Sequence, residues 1–296
     1  MTMDAPWLQI LLNGLLIGGI YAMASIGVTL IWGVMNFINF ASGQTVMFGM
    51  YVTLVTTTAL GIDPLIGVIS STILLFPLGL LIEKSIISPI ISSPRLHQLV
   101  VSLALGLMIE NAALVLWGGE IMVMPKAGSM EYLSQVLDVG PLRMTPAKAL
   151  PLPAAILLTI ALHYFLTRSR TGLGIRAVAQ NSYAANLMGI DINRAYFLTW
   201  GVGLSFMGLA GGLLMLFQPV YPAVGWEFIL ISFMAVTMGG AGSYLGSLVG
   251  AELIGVIESL SGFFLIPAIR QVIYLTIFIL VLFVRPQGLF PTKEVG

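Results

Sequence analysis

The sequence predicts an all-α polytopic membrane protein, and two observations carry that fold class. The 296 residues are 58% hydrophobic and only 8% charged, with a mean hydropathy of +1.03, whereas soluble domains carry about 25% charged residues. Apolar runs of about 20 residues, enough to cross a bilayer as a helix, recur along the whole chain. We therefore expect a single transmembrane domain over residues 1–296, with about eight transmembrane helices.

The apolar runs define the predicted spans. They lie near residues 8–31, 44–60, 64–83, 97–117, 150–167, 195–217, 226–239 joined to 243–261, and 268–284. The stretch Gly239–Gly242 is either a turn between two helices or a kink inside one, and a kink would invert the topology after it. The N-terminal run has no Lys or Arg before it, which predicts a retained span rather than a secretory signal.

Positive charge predicts the orientation, because cytoplasmic loops are enriched in Lys and Arg. With the N-terminus outside and the C-terminus cytoplasmic, eight of the 12 basic residues fall inside: Lys84, Arg95, Arg168, Arg170, Arg176, Arg194, Arg285 and Lys293. The four outside are Lys126, Arg143, Lys148 and Arg270. They lie mostly in an external loop at about 118–149, whose Pro and Gly residues indicate irregular structure. Long loops obey the charge rule poorly.

One long polar segment, residues 168–194, interrupts the second half of the chain. After the flexible stretch 172–174, residues Arg176–Met188 contain no Pro or Gly, and Gly189 is suited to end a helix in the left-handed conformation. The spacing places Val178, Ala185 and Met188 on one face. The segment therefore predicts a short amphipathic helix in a loop between two spans.

This segment, GLGIRAVAQNSYAANLMGIDINRAYFLTW, resembles the cytoplasmic coupling loop of the permease subunits of ABC importers for branched-chain, hydrophobic amino acids. The resemblance implies that its helix is a coupling helix, which docks on a cytoplasmic ATPase subunit. The coupling residues that it implies are Arg176, Ala177, Ala179, Gln180, Asn181, Ala184, Ala185, Leu187, Met188 and Gly189. A purely topological role for a positively charged loop is the alternative.

Two further stretches, 32–44 and 238–246, interrupt the apolar runs with small and polar residues. Similar stretches occur at corresponding places in this family, although the first departs from the family pattern at 39–43. They are either cytoplasmic turns or helix breaks that line a pathway, since freed backbone in a membrane needs protein or water as a partner. Together with two intramembrane carboxylates, they supply the pathway or gate candidates Asn36, Asn39, Gly43, Glu110, Gly239, Gly240, Gly242 and Glu252.

Carboxylates inside spans are costly unless they are paired or hydrated. Glu110 and Glu252 therefore either line the translocation pathway or pin neighbouring helices together. Glu258 lies six residues after Glu252, about 600° of helical turn, so that these two are not expected to form one acid pair. The pairs of glycines four residues apart, such as Gly14 and Gly18, favour close helix packing.

The sequence lacks a phosphate loop for ATP, any Cys, and a grouping of His or acidic residues with metal-ligand spacing. We therefore expect no enzyme activity, cofactor or metal in this chain, with ATP hydrolysed by a partner subunit. The balance of 12 basic and 12 acidic residues gives no basic field for nucleic acid.

The resemblance extends to the C-terminal VRPQGLF and implies a permease subunit in a bacterial inner membrane. Its implied partners are a second homologous permease, two cytoplasmic ATPase subunits, an external substrate-binding protein and membrane lipid. A permease for urea or short amides remains open within the family. An ion-coupled secondary transporter and a structural membrane scaffold are the alternatives from other classes.

Overall fold

Long helices dominate the computed structural model of the chain, which describes residues 5–126, 128–140, 142–264 and 270–290. In chain order the helices are α1 (Ala5–Met35), α2 (Ser42–Leu60), α3 (Pro64–Ile82), α4 (Arg95–Trp117), α5 (Met130–Leu133), α6 (Pro146–Ala149), α7 (Pro151–Arg168), α8 (Arg170–Gln180), α9 (Ser182–Leu187), α10 (Ile192–Met215), α11 (Gly225–Gly239), α12 (Tyr244–Phe264) and α13 (Arg270–Val284). A π turn and a 3-10 turn extend α3 to Ile90.

Nine of these helices, α1–α4, α7 and α10–α13, correspond to the nine predicted apolar segments. Seven of the described helical stretches are long and apolar enough to span a membrane. The two others are α2, which is less apolar, and α13, which is shorter. The prediction of an all-α polytopic membrane protein is confirmed.

The break at Gly239–Gly242 is a turn, which decides between the two sequence alternatives. Gly240 and Gly242 have φ angles of 106° and 83°, values that favour glycine. The helices on either side, α11 and α12, pack against each other as a hairpin.

The predicted external loop, residues 118–149, holds several short elements. Besides α5 and α6, it forms a short antiparallel hairpin of β1 (Leu137–Val139) and β2 (Leu142–Met144). Met122 forms two backbone hydrogen bonds with Val220, of 2.9 and 2.8 Å. Val220 directly precedes Tyr221 and a 3-10 turn, Pro222–Val224, which leads into α11.

The first helix is the centre of the bundle. α1 is almost entirely buried, and it packs against α7, α10, α11 and α12. A second line of contacts joins α10 to α2 and α3. Large apolar side chains remain exposed on the outer faces of α3, α4 and α7, among them Ile73, Val115 and Leu157. Such surfaces suit contact with lipid.

Glycines let α1 approach α12 until the two backbones touch. A Cβ on Gly14 would lie 2.6 Å from the Cα of Val256, and one on Gly255 would lie 2.4 Å from the carbonyl oxygen of Gly14. No side chain fits at these distances unless the helices separate. This contact places Gly14 and Gly18 in the packing role that their spacing predicts.

An aspartate joins the N-terminal end of α3 to the predicted external loop. The carboxylate of Asp63 accepts from the backbone N–H of Leu65 (2.9 Å) and of Ser129 (2.9 Å), and from the Ser129 hydroxyl (2.7 Å). The hydrogen bond from the Ser129 side chain is the main cause that lowers the Asp63 pKa below its ordinary value of 3.8.

We expect Gly255→Ala to lower the thermal stability of the purified protein. The added methyl group must push α12 away from α1, and overpacking of this kind destabilises by about 1–3 kcal/mol. Thermal unfolding in detergent, followed by tryptophan fluorescence, measures the effect. The matched control is Gly174→Ala in α8, where the nearest atom to an added Cβ, on Ile190, is 3.7 Å away. Equal unfolding temperatures for the two variants would contradict the close packing.

We expect the ionised Asp63 to protect the external loop from proteolysis in a pH-dependent manner. Because folding lowers the pKa of this carboxyl group, its contribution is complete above the ordinary value of 3.8 and is lost as the pH falls through the folded pKa. A protease that is active in acid should cleave residues 118–149 a few times faster in Asp63→Asn than in the wild type at higher pH. The two rates should converge in strong acid, and a constant ratio would refute the prediction.

Candidate coupling surface and membrane pathway

The polar segment 168–194 folds as two short helices rather than as the single predicted helix Arg176–Met188. Helix α8 begins at Arg170, where the Ser169 hydroxyl accepts from the N–H of Gly172 at 2.9 Å. It continues through 172–174, which were expected to be flexible, and stops at Gln180. Asn181 is extended, and its side chain accepts from the N–H of Ala184 at 2.9 Å, so that it caps α9.

The predicted helix was wrong in its bounds because side-chain hydrogen bonds compete with the helix ladder. Ser169 supplies an N-terminal cap earlier than expected, and Asn181 starts a new helix instead of continuing the first. Gly172 is also part of packing, since a Cβ there would lie 2.0 Å from the carbonyl oxygen of Phe165. The end at Gly189 is confirmed, with a φ angle of 79°.

One apolar cluster fixes both short helices to the membrane bundle. Ile175 and Val178 of α8 and Ala185 of α9 are buried, with 1%, 2% and 4% of their surface exposed. They pack in one cluster with residues of α1, α7 and α10, namely Ile26, Leu30, Leu162, Leu166 and Ala195. The two helices are therefore held on three spans at once.

The opposite side of α9 presents apolar side chains to the surface. Tyr183, Leu187 and Met188, together called the apolar tip, are 74%, 70% and 82% exposed. The expectation that Met188 shares a face with Val178 and Ala185 is wrong, because Met188 is the C-terminal cap of α9, where the chain leaves the helix before Gly189. The other implied coupling residues Arg176, Ala179, Gln180, Asn181, Ala184 and Gly189 are exposed as well, and Ala177 is half-buried.

The first helix break is a non-helical segment between α1 and α2. Asn36 ends α1 with a φ angle of 52°, which is uncommon for a residue other than glycine. Residues 37–40 are not helical, and Phe37 and Asn39 are fully buried. The Asn39 side-chain oxygen accepts from the N–H of Ala41 at 3.0 Å, and the N–H of Phe40 donates to the Ser102 hydroxyl at 3.3 Å.

This segment brings the start of α2 to half the height of a neighbouring span. A Cβ on Gly106 would lie 3.4 Å from the Cα of Ala41. Gly106 is the middle residue of α4 (Arg95–Trp117), with eleven residues on either side. At the same height Gly43 meets the first residue of α11, since a Cβ on Gly43 would lie 2.0 Å from the Gly225 carbonyl oxygen.

Glu110 lies beside this junction and binds an indole. The Trp226 Nε1–H donates to its carboxylate at 2.8 Å. Both polar atoms of the Gln44 side-chain amide are hydrogen-bonded when its oxygen accepts from the Trp226 Nε1–H (3.1 Å) and its nitrogen donates to the Pro222 carbonyl (3.3 Å). The opposite orientation is less favourable, because the amide nitrogen then donates to Glu110 at 3.4 Å while the amide oxygen faces no donor.

The second break differs from the first in its surroundings. The segment after α13 is hydrogen-bonded to the turn that holds Gly239, Gly240 and Gly242. The N–H of Leu289 donates to the Met238 carbonyl oxygen (2.8 Å), and the N–H of Phe290 donates to the Gly239 carbonyl oxygen (3.0 Å). The C-terminal stretch VRPQGLF, which resembles the family's ending, thus packs on this turn. Residues 291–296, which include the expected cytoplasmic Lys293, lie outside the described residues.

The two carboxylates of α12 both meet α1, but at different residues. A Cβ on Gly18 would lie 2.6 Å from the Glu252 carboxylate, and neither oxygen of that carboxylate has a hydrogen-bond partner among the described residues. Glu258 accepts from the Tyr21 hydroxyl at 2.6 Å.

Sequence reasoning missed several residues at the start of α2 and α11. Trp226 and, on the neighbouring α4, Ser102 lie inside apolar runs, where nothing in the pattern distinguishes them. Ser42 and Gln44 lie in the stretch 32–44 but were not among the candidates chosen from it. The polar character of Gln44 at the end of the first break was the one available signal.

Comparison with known proteins identifies the family. The sequence profile of the branched-chain amino acid transport system permease component matches residues 10–282. The chain belongs to this permease family. The break before α2 and the exposed tip of α9 are therefore features of a transport permease.

Similar proteins extend over nearly the whole chain. The high-affinity branched-chain amino acid transport system permease protein LivH of Escherichia coli (strain K12) is 30% identical over 298 residues, covering 98% of this chain and 97% of that protein. BraD of Pseudomonas aeruginosa, which bears the same description, is 28% identical with the same coverage. A probable branched-chain amino acid transport permease, LivH of Methanocaldococcus jannaschii, is 27% identical over 95% of this permease and 91% of its own length.

A solved structure shares the fold of this permease. In PsaBC from Streptococcus pneumoniae in complex with Fab, one chain superposes with a TM-score of 0.52, covering 96% of this chain and 97% of that chain. The two sequences are 13% identical, so that the likeness concerns the fold alone.

We expect single cysteines in α9 to differ sharply in reactivity. The chain has no native Cys, so that a cysteine at position 188 or 185 is the only thiol. In Met188→Cys the thiol lies on the exposed tip and should react with a water-soluble maleimide at least about ten times faster than in Ala185→Cys, where it is buried. Mass spectrometry of the labelled protein measures both rates, and equal rates would contradict the orientation of α9.

Proposed function

We propose that this chain is the membrane permease subunit of an ABC importer that carries branched-chain, hydrophobic amino acids into a bacterial cell. The family match and the similarity to LivH over nearly the full length support this assignment. The chain itself carries no phosphate loop, and separate ATPase subunits supply the free energy of transport.

The working assembly contains two permeases, two cytoplasmic ATPase subunits and an external binding protein. This permease pairs with a second, homologous one, and the binding protein supplies the cargo from outside. The N-terminus lies outside and the C-terminus in the cytoplasm, which places segment 168–194 on the ATPase side. The excess of Lys and Arg in the segments assigned to the cytoplasm supports this orientation.

The observation that carries the coupling role is the apolar tip on a firmly anchored helix pair. Three large apolar side chains exposed on one short helix outside the spans fit a contact with another protein. The buried side of the same unit packs on α1, α7 and α10. ATP-driven movement of the ATPase subunits displaces the tip, and the apolar cluster transmits that displacement to the three spans.

Crosslinking tests the docking of the tip on the ATPase. Met188→Cys, expressed with the native ATPase subunit carrying one surface cysteine, should form a crosslink whose yield changes when ATP is added. Ser92→Cys is the matched control, because it is exposed on a segment of the same predicted side but far from α9 in the chain. Equal crosslinking at both positions, or none at position 188 across several ATPase cysteines, would remove the docking assignment.

The cargo and the energy source are tested together by uptake into proteoliposomes. The complete transporter with its binding protein should accumulate leucine only with ATP, and should not accumulate urea. Leucine uptake by this chain alone, driven by an ion gradient, would instead establish a secondary transporter.

A further inference from the structure

Unpaired hydrogen-bond donors collect at the start of α2, half-way along α4. Ala41, the residue before the helix, offers no side-chain cap. Among the described residues, the backbone N–H groups of Gly43 and Gln44 form no hydrogen bond. These are two of the orphan donors that every helix start leaves, and here both residues are buried instead of facing water.

Two buried side chains add unpaired polar atoms to the same turn. The Ser42 hydroxyl and the Asn39 Nδ2 have no hydrogen-bond partner, while the two residues are 1% and 0% exposed. Asn39 turns its amide onto the first turn, since its Oδ1 accepts from the N–H of Ala41 at 3.0 Å. Its free nitrogen is therefore held beside the same helix start.

The chemistry of this cluster selects an anion. A helix N-terminus carries a partial positive charge, and backbone N–H groups at such a terminus bind carboxylates. The Ser42 hydroxyl and the Asn39 amide nitrogen add two more donors. Buried donors without partners are unfavourable, and a carboxylate group would satisfy several of them together.

A carboxylate lies one helical turn away on α4. Gly106 contacts the start of α2, and Glu110 follows four residues later. The Trp226 indole holds one of the Glu110 oxygens at 2.8 Å, and no basic side chain is paired with Glu110 among the described residues. A ligand whose carboxylate is bound at the start of α2 could therefore place a positively charged group beside the Glu110 carboxylate.

We propose that the start of α2 and Glu110 form a binding site for the zwitterion of the transported amino acid, an inference that rests on the proposed function. The amino acid carboxylate accepts from the N–H groups of Gly43 and Gln44, from the Ser42 hydroxyl and from Asn39. The ammonium group faces Glu110. The contact between Gly43 and Gly225 closes the site in this conformation, and the site opens when α11 moves away from α2.

Such a site distinguishes an amino acid from urea or a short amide. Urea carries neither a carboxylate nor an ammonium group, and it would leave both halves of the site without a charged partner. The site holds its ligand by the backbone N–H groups of one helix start, two polar side chains and one carboxylate, and its described residues include no basic side chain, which suits a ligand that must be released.

The test compares three ligands on the complete transporter in nanodiscs, without the external binding protein. L-leucine has both charged groups, L-leucinamide lacks the carboxylate, and 4-methylpentanoate lacks the ammonium group. Saturation-transfer NMR with competition measures their relative affinities. We expect wild-type protein to bind leucine about ten times or more tightly than either analogue, as the loss of a charged hydrogen-bond partner predicts.

The variants should divide according to the two halves of the site. Ser42→Ala and Asn39→Leu should weaken leucine and 4-methylpentanoate about tenfold without changing L-leucinamide. Glu110→Gln should weaken leucine and L-leucinamide and leave 4-methylpentanoate unchanged. Ser205→Ala is the matched control, because this buried helical serine already donates to the Gly201 carbonyl at 3.0 Å, and it should bind all three ligands as the wild type does.

Two results would overturn the inference. Variants that bind leucine like the wild type would show that the unpaired donors do not hold the cargo. Variants that weaken all three ligands equally would show a general loss of packing. In both cases ATP-driven leucine uptake by the wild-type transporter would still support the proposed function. A wild-type transporter that imports no leucine would contradict both the proposed function and the proposed binding site.

Discussion

The requirement that backbone polar groups find partners inside the protein governs this structure. A bilayer offers them no water, so that nearly all of the chain within the spans is helical. Where the backbone leaves a helix between α1 and α2, side chains of Asn39 and Ser102 take over part of the bonding. Seven buried side-chain atoms of the described residues have no hydrogen-bond partner, and two of them, Asn39 Nδ2 and Ser42 Oγ, lie together at the start of α2.

The same requirement explains the use of glycine. Helices that have satisfied their own backbone attract each other mainly by close packing. Gly14, Gly18 and Gly255 allow α1 and α12 to touch along their backbones. At its other end, α1 supplies Ile26 and Leu30 to the cluster that holds α8 and α9. A single buried helix thus connects the polar segment 168–194 with the α12 contact.

The spans were predictable because hydropathy reports them directly. Nine apolar segments became nine helices with ends shifted by a few residues, and Gly189 ended its helix as its conformational preference indicates. The inner organisation of segment 168–194 was not predictable from periodicity. One asparagine side chain, bonded to Ala184, divides the segment into two helices, and Met188 at the end of the second helix is exposed.

The height of α2 was also beyond sequence reasoning. The composition of residues 32–44 is compatible with a cytoplasmic turn and with a break within the membrane, because composition does not record depth. Only the contact between Ala41 and Gly106 places the helix start half-way along α4. Likewise, the sequence places Glu110 inside a span, but its indole partner lies 116 residues away in the chain.

The pair of backbone hydrogen bonds between Met122 and Val220 has a mechanical consequence. Val220 precedes Tyr221 and the 3-10 turn whose first residue, Pro222, accepts from Gln44. A displacement of the segment around Met122 is therefore transmitted to the first turn of α11 through two backbone hydrogen bonds and the main chain from Val220 onward, without first deforming a span.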